Sequence, residues 1–351
     1  MFLSVSCSHE ENVQRKNKLL GHPVIITQET ANTILPVIAY HRVSLAITNG
    51  MTITPELFHS HMQFLVDNHY NPITMDQWCN AVLSGKELPE KPIAITFDDA
   101  WKSQYKNALP ILNEFNFKAT FYAYTDVIGN RTTMTYNQLQ NLVKQGHNVG
   151  CHSAAHSNLA KPTKAENAEK YNERLVRETF DAKEIIEEKI GVPVIHFCYP
   201  YGYYNTNVIN IIKKAGFISG VTVNPAPNTI DSSLFKIGRY IIAPWTNEKK
   251  LNDKLSLLPV KFQNAKPFDG EICVSPTEKF SIILPEEKSL RYTKLKMYWK
   301  WRKTNFFWNG KTRMLSHSFD KPVKSGIYTM QAHAWDKKSN HYTYAWLFQQ
   351  K

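Results

Sequence analysis

Nowhere in this 351-residue chain is there an uninterrupted run of eighteen apolar residues, so nothing in it reads as a membrane-spanning helix. No CxxC pair occurs, and the five cysteines (7, 79, 151, 198 and 273) are an odd number, which argues against both a disulfide framework and a thiolate zinc site. Cys151 and Cys198 fall inside predicted strands and read as small buried packing residues. No internal repeat or low-complexity stretch stands out. The N-terminus lacks a basic segment followed by a long apolar one, and the apolar start from Met1 to Cys7 is too short for a complete signal peptide. Two readings stay open: a cytoplasmic protein, or a numbering that begins within or after a removed export segment. A lipidated Cys7 fits its preceding residues poorly.

What is present reads as a globular protein. Hydrophobic residues make up 42% and charged residues 21%, an ordinary balance that excludes wholesale disorder. The length allows one large domain or two, each with a real core. The net charge of +12 is uneven: residues 261–351 hold 17 Lys and Arg against 7 Asp and Glu, whereas the first 260 hold 25 against 23. A basic section of that kind suits nucleic acid, anionic glycan, lipid phosphate or a bacterial surface, or is simply solvated strand faces.

Residues 1–34 are polar and aperiodic, an N-terminal tail or irregular lead-in. From there strands and helices alternate. A strand runs through Pro36–Tyr40 and is followed by His41. Thr54-Pro55 opens a helix to about Asn68, because Thr caps and Pro suits the first helical position. A helix from Met75 to Gly85, a strand Ile93–Phe97, a helix to Asn113, a strand Ala119–Tyr124, a helix Thr135–Gln145 and a strand Asn148–Cys151 follow. Apolar residues at 171, 175, 182, 186 and 190 mark a long helix over 166–190. Val194–Tyr199, a helix capped by Asn205 and ending at Gly216, and Gly220–Val223 continue the series. Such alternation predicts parallel strands with helical crossovers, an α/β fold of the (β/α) barrel kind over 35–262. After about residue 263 the period changes to two. In 294–302 the odd positions are apolar and the even ones mostly basic, and Ile327–Trp335 and Tyr342–Phe348 read as further strands. A C-terminal all-β sandwich over 263–351 is expected.

The chemistry-bearing residues follow strand ends, the face that carries the active site in such barrels. Asp98 and Asp99 close one strand; His152 and His156 stand after another; Phe197-Cys198-Tyr199-Pro200-Tyr201-Gly202 follows a third. A carboxylate and two neutral imidazoles with coordination positions left open are the ligand set of a hydrolytic metal site, and the second carboxylate is then free to act as a base. Together these motifs resemble those of the polysaccharide deacetylases, carbohydrate esterase family four of the NodB type: Thr-Phe-Asp-Asp, His-Ser/Thr-x-x-His and Pro-Tyr-Gly. The resemblance covers about residues 36–245 and leaves the C-terminal section outside it.

That resemblance implies a distorted (β/α) barrel. It implies that Asp99, His152 and His156 bind a divalent metal, most readily Zn2+, and that Asp98 is the general base. Tyr201 would supply an oxyanion-holding backbone N–H, and Tyr199 and Pro200 would bind substrate. The Leu-x-His motif that provides the general acid in most of the family has no convincing equivalent between 217 and 260. Tyr40-His41-Arg42-Val43 resembles instead a feature of the branch acting on β-1,6-linked poly-N-acetylglucosamine, which makes His41 the candidate acid. Three departures stand out. Ala100 replaces the usual Gly, so the turn is expected to avoid left-handed backbone angles. The Arg usually found ahead of Pro-Tyr-Gly is missing, with His196 or Arg239 as possible substitutes for orienting Asp98. Trp101 is either a sugar platform or a core residue, and Trp245 either lines the acetyl pocket or packs beneath it. The C-terminal section holds five of the eight tryptophans (299, 301, 308, 335 and 346), a glycan-binding surface or a sandwich core; His317, His333 and His341 show no ligand pattern. The implied activity is removal of N-acetyl groups from an N-acetylglucosamine polymer, favoured poly-β-1,6-N-acetylglucosamine, at a periplasmic or cell-surface location, with an anionic envelope surface as a further partner and no nucleic acid. Peptidoglycan or chitooligosaccharide deacetylation, or a glycan-binding protein with a drifted site, are the alternatives.

Overall fold

The computed structural model describes residues 33–46, 49–260, 263–285 and 294–351. The expected lead-in up to residue 32, and Cys7 within it, lie outside the described residues. Eight strands form one parallel sheet: β1 (Val37–Tyr40), β2 (Asn71–Ile73), β3 (Pro92–Phe97), β4 (Thr120–Ala123), β5 (Asn148–Cys151), β6 (His196–Cys198), β7 (Ser219–Val221) and β8 (Tyr240–Ile241). Their spatial order is β7-β6-β5-β4-β3-β1-β8, with β2 also paired to β3. The gap between the outer strands is spanned by residues 237–241: Ile237 bridges Val221 in parallel, and Tyr240 pairs with Ile38. The sheet therefore curls into a distorted (β/α) barrel, as the alternation predicts.

The helices begin where their caps dictate. Thr54 accepts the amide of Leu57 at the start of α1 (Pro55–Asp67). Thr74 and Thr135 form reciprocal capping boxes with Gln77 and Gln138, opening α2 (Met75–Ser84) and, after α3 (Leu109–Glu114), α4 (Tyr136–Lys144). The long helix is in fact α5 (Ala168–Val176) and α6 (Ala182–Ile190), joined by one π turn over Arg177–Asp181. Asn205 and Asn247 cap α7 (Thr206–Lys214) and α8 (Glu248–Leu255). Because side chains alternate along a strand, one set (Val37, Ala94, Tyr122, Cys198, Val221) fills the inside and is closed from below by Met75, Trp78 and Val82 of α2. The other set (Ile38, Ile95, Phe121, Phe197) packs under the outer helices.

Beyond the barrel lie β9 (Leu258–Pro259), β10 (Gln263–Lys266), β11 (Glu271–Cys273), β12 (Lys279–Ile283), β13 (Lys294–Trp299), β14 (Arg302–Thr304), β15 (Phe307–Asn309), β16 (Met314–Ser318), β17 (Gly326–Trp335) and β18 (His341–Gln350). A six-stranded sheet, β9-β18-β17-β13-β14 with β11 also on β18, faces a four-stranded one, β10-β12-β16-β15. Their shared core holds Phe280, Leu315, Met330, Trp346 and Phe348. Trp346 and Phe348 point into this core while Leu347 between them belongs to the barrel core, so β18 is sandwiched between two hydrophobic layers. Asn205 donates to Gln349 at 2.8 Å and Tyr204 to Asp269 at 2.5 Å, tying the two regions by polar contacts as well.

The alternation read over 294–302 holds only to Trp299. Lys300 (φ 47°) and Trp301 (φ 66°) are left-handed and make the turn between β13 and β14, so Trp301 leaves the apolar row and is 54% exposed.

Candidate active site

Asp98 directly follows β3 and is 2% exposed, and its carboxylate is gripped from both sides by one guanidinium. Arg239 donates from one terminal nitrogen to Oδ1 at 2.7 Å and from the other to Oδ2 at 2.8 Å. Burial alone would raise the Asp98 carboxyl; the charge and hydrogen bonds of Arg239 override it and hold the group well below the usual carboxylate range. Arg239 also donates to the Thr222 carbonyl, to Thr96 and to the Cys198 sulfur, so all three of its nitrogens are engaged inside the barrel. Of the two substitutes weighed for the missing Arg, this one meets Asp98. His196, on the same inward face as Cys198 but at the start of the strand, instead bonds Ser219 and Asp76 at the closed end of the barrel.

The backbone then turns sharply. Asp99 has φ 72° and Ala100 φ 51°, so the turn adopts the left-handed angles that the absence of Gly was expected to exclude. Ala100 is fully buried and its carbonyl accepts the Met134 amide, contacts that hold a conformation costly for an L-residue. The turn throws the Asp99 carboxylate toward the imidazoles: Oδ1 lies 3.6 Å from His152 Nε2 and 3.7 Å from His156 Nε2. Oδ2 accepts the Trp101 indole N–H at 3.0 Å, and the Arg42 guanidinium stacks 3.8 Å above that indole. Trp101 thus lines the cleft and braces Asp99 from its wall, with the Arg42 guanidinium over its ring.

His152 follows β5 directly. Its Nδ1 donates to the Cys198 carbonyl at 2.8 Å, which fixes the ring and leaves the Nε2 lone pair toward Asp99. Burial pushes this imidazole down to about 4, so it is neutral at pH 7. The loop carrying His156 is shaped by two groups: Glu178 in the π turn accepts the amides of Ala154 and Ala155, and Ser153 accepts that of His156. Ser153 (φ 71°) and His156 (φ 54°) are left-handed too. No sequence signal pointed to Glu178, which is separated from the loop by more than twenty residues.

The donor set fits a divalent metal. Three atoms, two neutral imidazole nitrogens and one carboxylate oxygen, lie within 4.8 Å of one another, and the 3.6 and 3.7 Å separations are close to the roughly 3.4 Å edge of a tetrahedral zinc site. Asp98, His152 and Cys198 also converge, but Asp98 is committed to Arg239 and burial pushes the Cys198 thiol far up, so that group is the poorer cage.

His41, after β1, has Nε2 3.9 Å from Asp98 Oδ2. The buried Gln104 side chain donates to the carbonyls of both His41 (2.7 Å) and Asp98 (2.6 Å), joining the two strand ends. Gln104 begins a π turn, Gln104–Ala108, a further feature that sequence periodicity does not disclose. Tyr201 sits at φ 60° in a one-turn 3-10 segment, its ring edge-on to His156 at 4.7 Å, and its amide has no acceptor among the described residues. Gly202 follows at φ 68°, where a Cβ would stand 2.4 Å from Val223.

Of three expected substrate contacts, Pro200 and Trp245 are placed away from the cleft. Tyr199 borders the cleft but is buried, and its hydroxyl donates to the Phe235 carbonyl, so that hydroxyl is already engaged within the protein. Pro200 is buried at the start of the 3-10 turn. Trp245 is 63% exposed and lies over Gly50; it neither lines the cleft nor packs beneath it. The cleft itself, about 830 Å³, is bounded by His41, Asp98, Asp99, His152, His156 and Tyr201 at its floor. No helix among the described residues is long and apolar enough to cross a membrane.

A curled parallel sheet with a His-His-Asp triad and a second carboxylate at its strand ends is the arrangement of a metal-dependent hydrolase. The family model for polysaccharide deacetylase matches residues 85–219. YxkH of Bacillus subtilis, a provisionally named polysaccharide deacetylase, is 26% identical over 210 residues, 60% of this chain and 72% of its own. The poly-β-1,6-N-acetyl-D-glucosamine N-deacetylase of Staphylococcus aureus is 24% identical over 203 residues, 55% of this chain and 68% of its own. Among solved structures, the Streptococcus pyogenes deacetylase PplD shares the fold with a TM-score of 0.58 at 22% identity, over 64% of this chain and 99% of its own. Over residues 85–219 the chain matches the polysaccharide deacetylase model, and its barrel is similar in sequence and fold to the deacetylases of carbohydrate esterase family four, hydrolases that use a divalent metal.

Proposed function

We propose that this protein hydrolyses the N-acetyl groups of an N-acetylglucosamine polymer, with poly-β-1,6-N-acetylglucosamine as the favoured substrate. The observation that carries the reading is the convergence of Asp99, His152 and His156 beside an Arg-held Asp98 and His41 in one cleft. Asp99, His152 and His156 would hold the metal, zinc by its N,N,O donor set; bound there, it supplies Lewis-acid polarisation and makes water acidic enough to lose a proton near neutral pH. Asp98, kept ionised by Arg239, accepts that proton as water adds to the acetamide carbonyl. The Tyr201 amide donates to the developing oxyanion. His41 gives a proton to the departing sugar nitrogen as the C–N bond breaks, so acetate and a free amine result. Such polymers lie outside the cytoplasm, so the periplasm or cell surface is the place of action, and the basic C-terminal section suits an anionic envelope beside it.

The test is acetate release from β-1,6- and β-1,4-linked N-acetylglucosamine oligomers with added zinc, and with chelator. Release from the β-1,6 series supports the full reading. Release confined to β-1,4 oligomers keeps the chemistry and moves the substrate to chitooligosaccharide or peptidoglycan. Release from neither overturns the reading.

A further inference from the structure

The cleft has a wall that the barrel does not supply. Beside the catalytic floor it is lined by Trp301, Gln331 and His333, all from the C-terminal sandwich. Their placement follows from strand alternation. On β17, Met330, Ala332 and Ala334 face the sandwich core, which turns Gln331 and His333 to the other face of the sheet. Trp301 stands at the tip of the β13–β14 hairpin, where Lys300 and Trp301 occupy a two-residue left-handed turn that ordinarily selects Asn-Gly. A bulky indole is a costly occupant of such a position unless its exposure is useful. The turn is also firmly held: the Lys300 amide donates to the Thr329 carbonyl at 3.0 Å, and its ammonium lies 4.6 Å above the Tyr328 ring. Gln331 accepts the His333 Nε2–H through Oε1 at 3.2 Å, and its amide N–H donors have no partner among the described residues.

We infer that the Trp301 hairpin tip, with Gln331, forms a saccharide-binding subsite of the catalytic cleft, holding a neighbouring sugar of the polymer whose residue is deacetylated at the barrel floor. A flat half-exposed indole matches the C–H face of a pyranose, and a carboxamide with free donors matches its hydroxyls. The sandwich is thereby part of the enzyme's specificity rather than an appended domain. The inference rests on the glycan reading above.

The test compares full-length wild type, Trp301→Ala and Trp301→Phe on β-1,6-linked N-acetylglucosamine oligomers of two to five units. Oligomer binding to each protein is followed in parallel by calorimetry. Thermal melts confirm that the exposed turn tolerates the changes. The expected result is a fall of about five- to tenfold in the pentasaccharide-to-disaccharide ratio of kcat/KM for Trp301→Ala, carried by KM, with matching loss of binding and partial rescue in Trp301→Phe. An unchanged length profile and unchanged binding would overturn the subsite while leaving the deacetylase reading in place. Wild type that neither cleaves nor binds any oligomer would overturn both.

Discussion

Two pairs of histidines in this chain make an instructive contrast. In the barrel, the rings of His152 and His156 lie 4.6 Å apart, edge to face, with a carboxylate oxygen between them and Nδ1 of His152 tied to a backbone carbonyl. In the sandwich, His333 and His341 are equally close, with ring centroids 5.0 Å apart, but Nδ1 of one bonds Nε2 of the other at 2.8 Å. Burial pushes all of His152, His333 and His341 down, to between about 3 and about 4, so a neutral imidazole is no distinction. The difference lies in what else converges. Asp99 faces the first pair; Lys294 and Lys296 sit beside the second and repel a cation. Proximity of two imidazoles makes a metal site only when a lone pair is left free on each and an anion completes the set.

The strongest way to break that contrast is to remove one imidazole from each pair. His152→Ala is expected to abolish stoichiometric zinc binding and to lower acetate release by about a thousandfold or more, the loss of a Lewis acid and of the water it acidifies. His341→Ala should leave zinc stoichiometry unchanged at one per chain. Metal analysis after gel filtration reads both; zinc lost on His341→Ala, or kept on His152→Ala, would reverse the assignment.

Next in size is the buried Asp98–Arg239 pair of the barrel. Arg239→Met leaves a fully buried carboxylate without its cation, and a cost of about 3–5 kcal/mol is expected in urea unfolding. Removing both charges in Asp98→Leu/Arg239→Met should recover much of that stability while activity stays lost. A single variant as stable as the double one would show the pair to be energetically idle.

The contrast between the regions also explains what was legible beforehand. Strand-then-helix alternation and the capping Thr and Asn residues are local signals, and the barrel elements they predict are observed to within a few residues. The site's positioning groups are not local. Arg239 is 141 residues from Asp98 and Glu178 more than twenty from the loop it holds; only folding the sheet brings them together. The left-handed turns at Ala100 and Trp301 were missed because residue type argues against them, and surrounding contacts overrule the preference. These two conflicts between local propensity and global structure fall beside the cleft, one in each region.

A smaller effect tests the brace on Asp99. Trp101→Phe keeps an aromatic ring under Arg42 but deletes the indole N–H that holds Oδ2. Zinc affinity, measured by competition with a chromophoric chelator, should fall about 10- to 100-fold, as for other second partners of metal ligands. An affinity within twofold of wild type would make the hydrogen bond incidental.

The smallest predicted effect is a pH dependence outside either histidine pair. His147 is 2% exposed, and burial, with Lys118, lowers it from 6.5 to about 4. Its Nδ1 accepts the Ala119 amide at 3.1 Å, which requires the neutral ring. Because the folded value lies below the unfolded one, the fold favours the uncharged form. This stability is fully present above pH 6.5 and is lost as pH falls through about 4. About 1–2 kcal/mol of the acid-side loss should trace to this residue. His147→Gln offers an acceptor to Ala119 without titrating, so in metal-free protein its urea midpoint should fall less between pH 7 and pH 4 than that of wild type. Identical slopes would mean that His147 gains its proton without cost, through a local opening of the loop between α4 and β5.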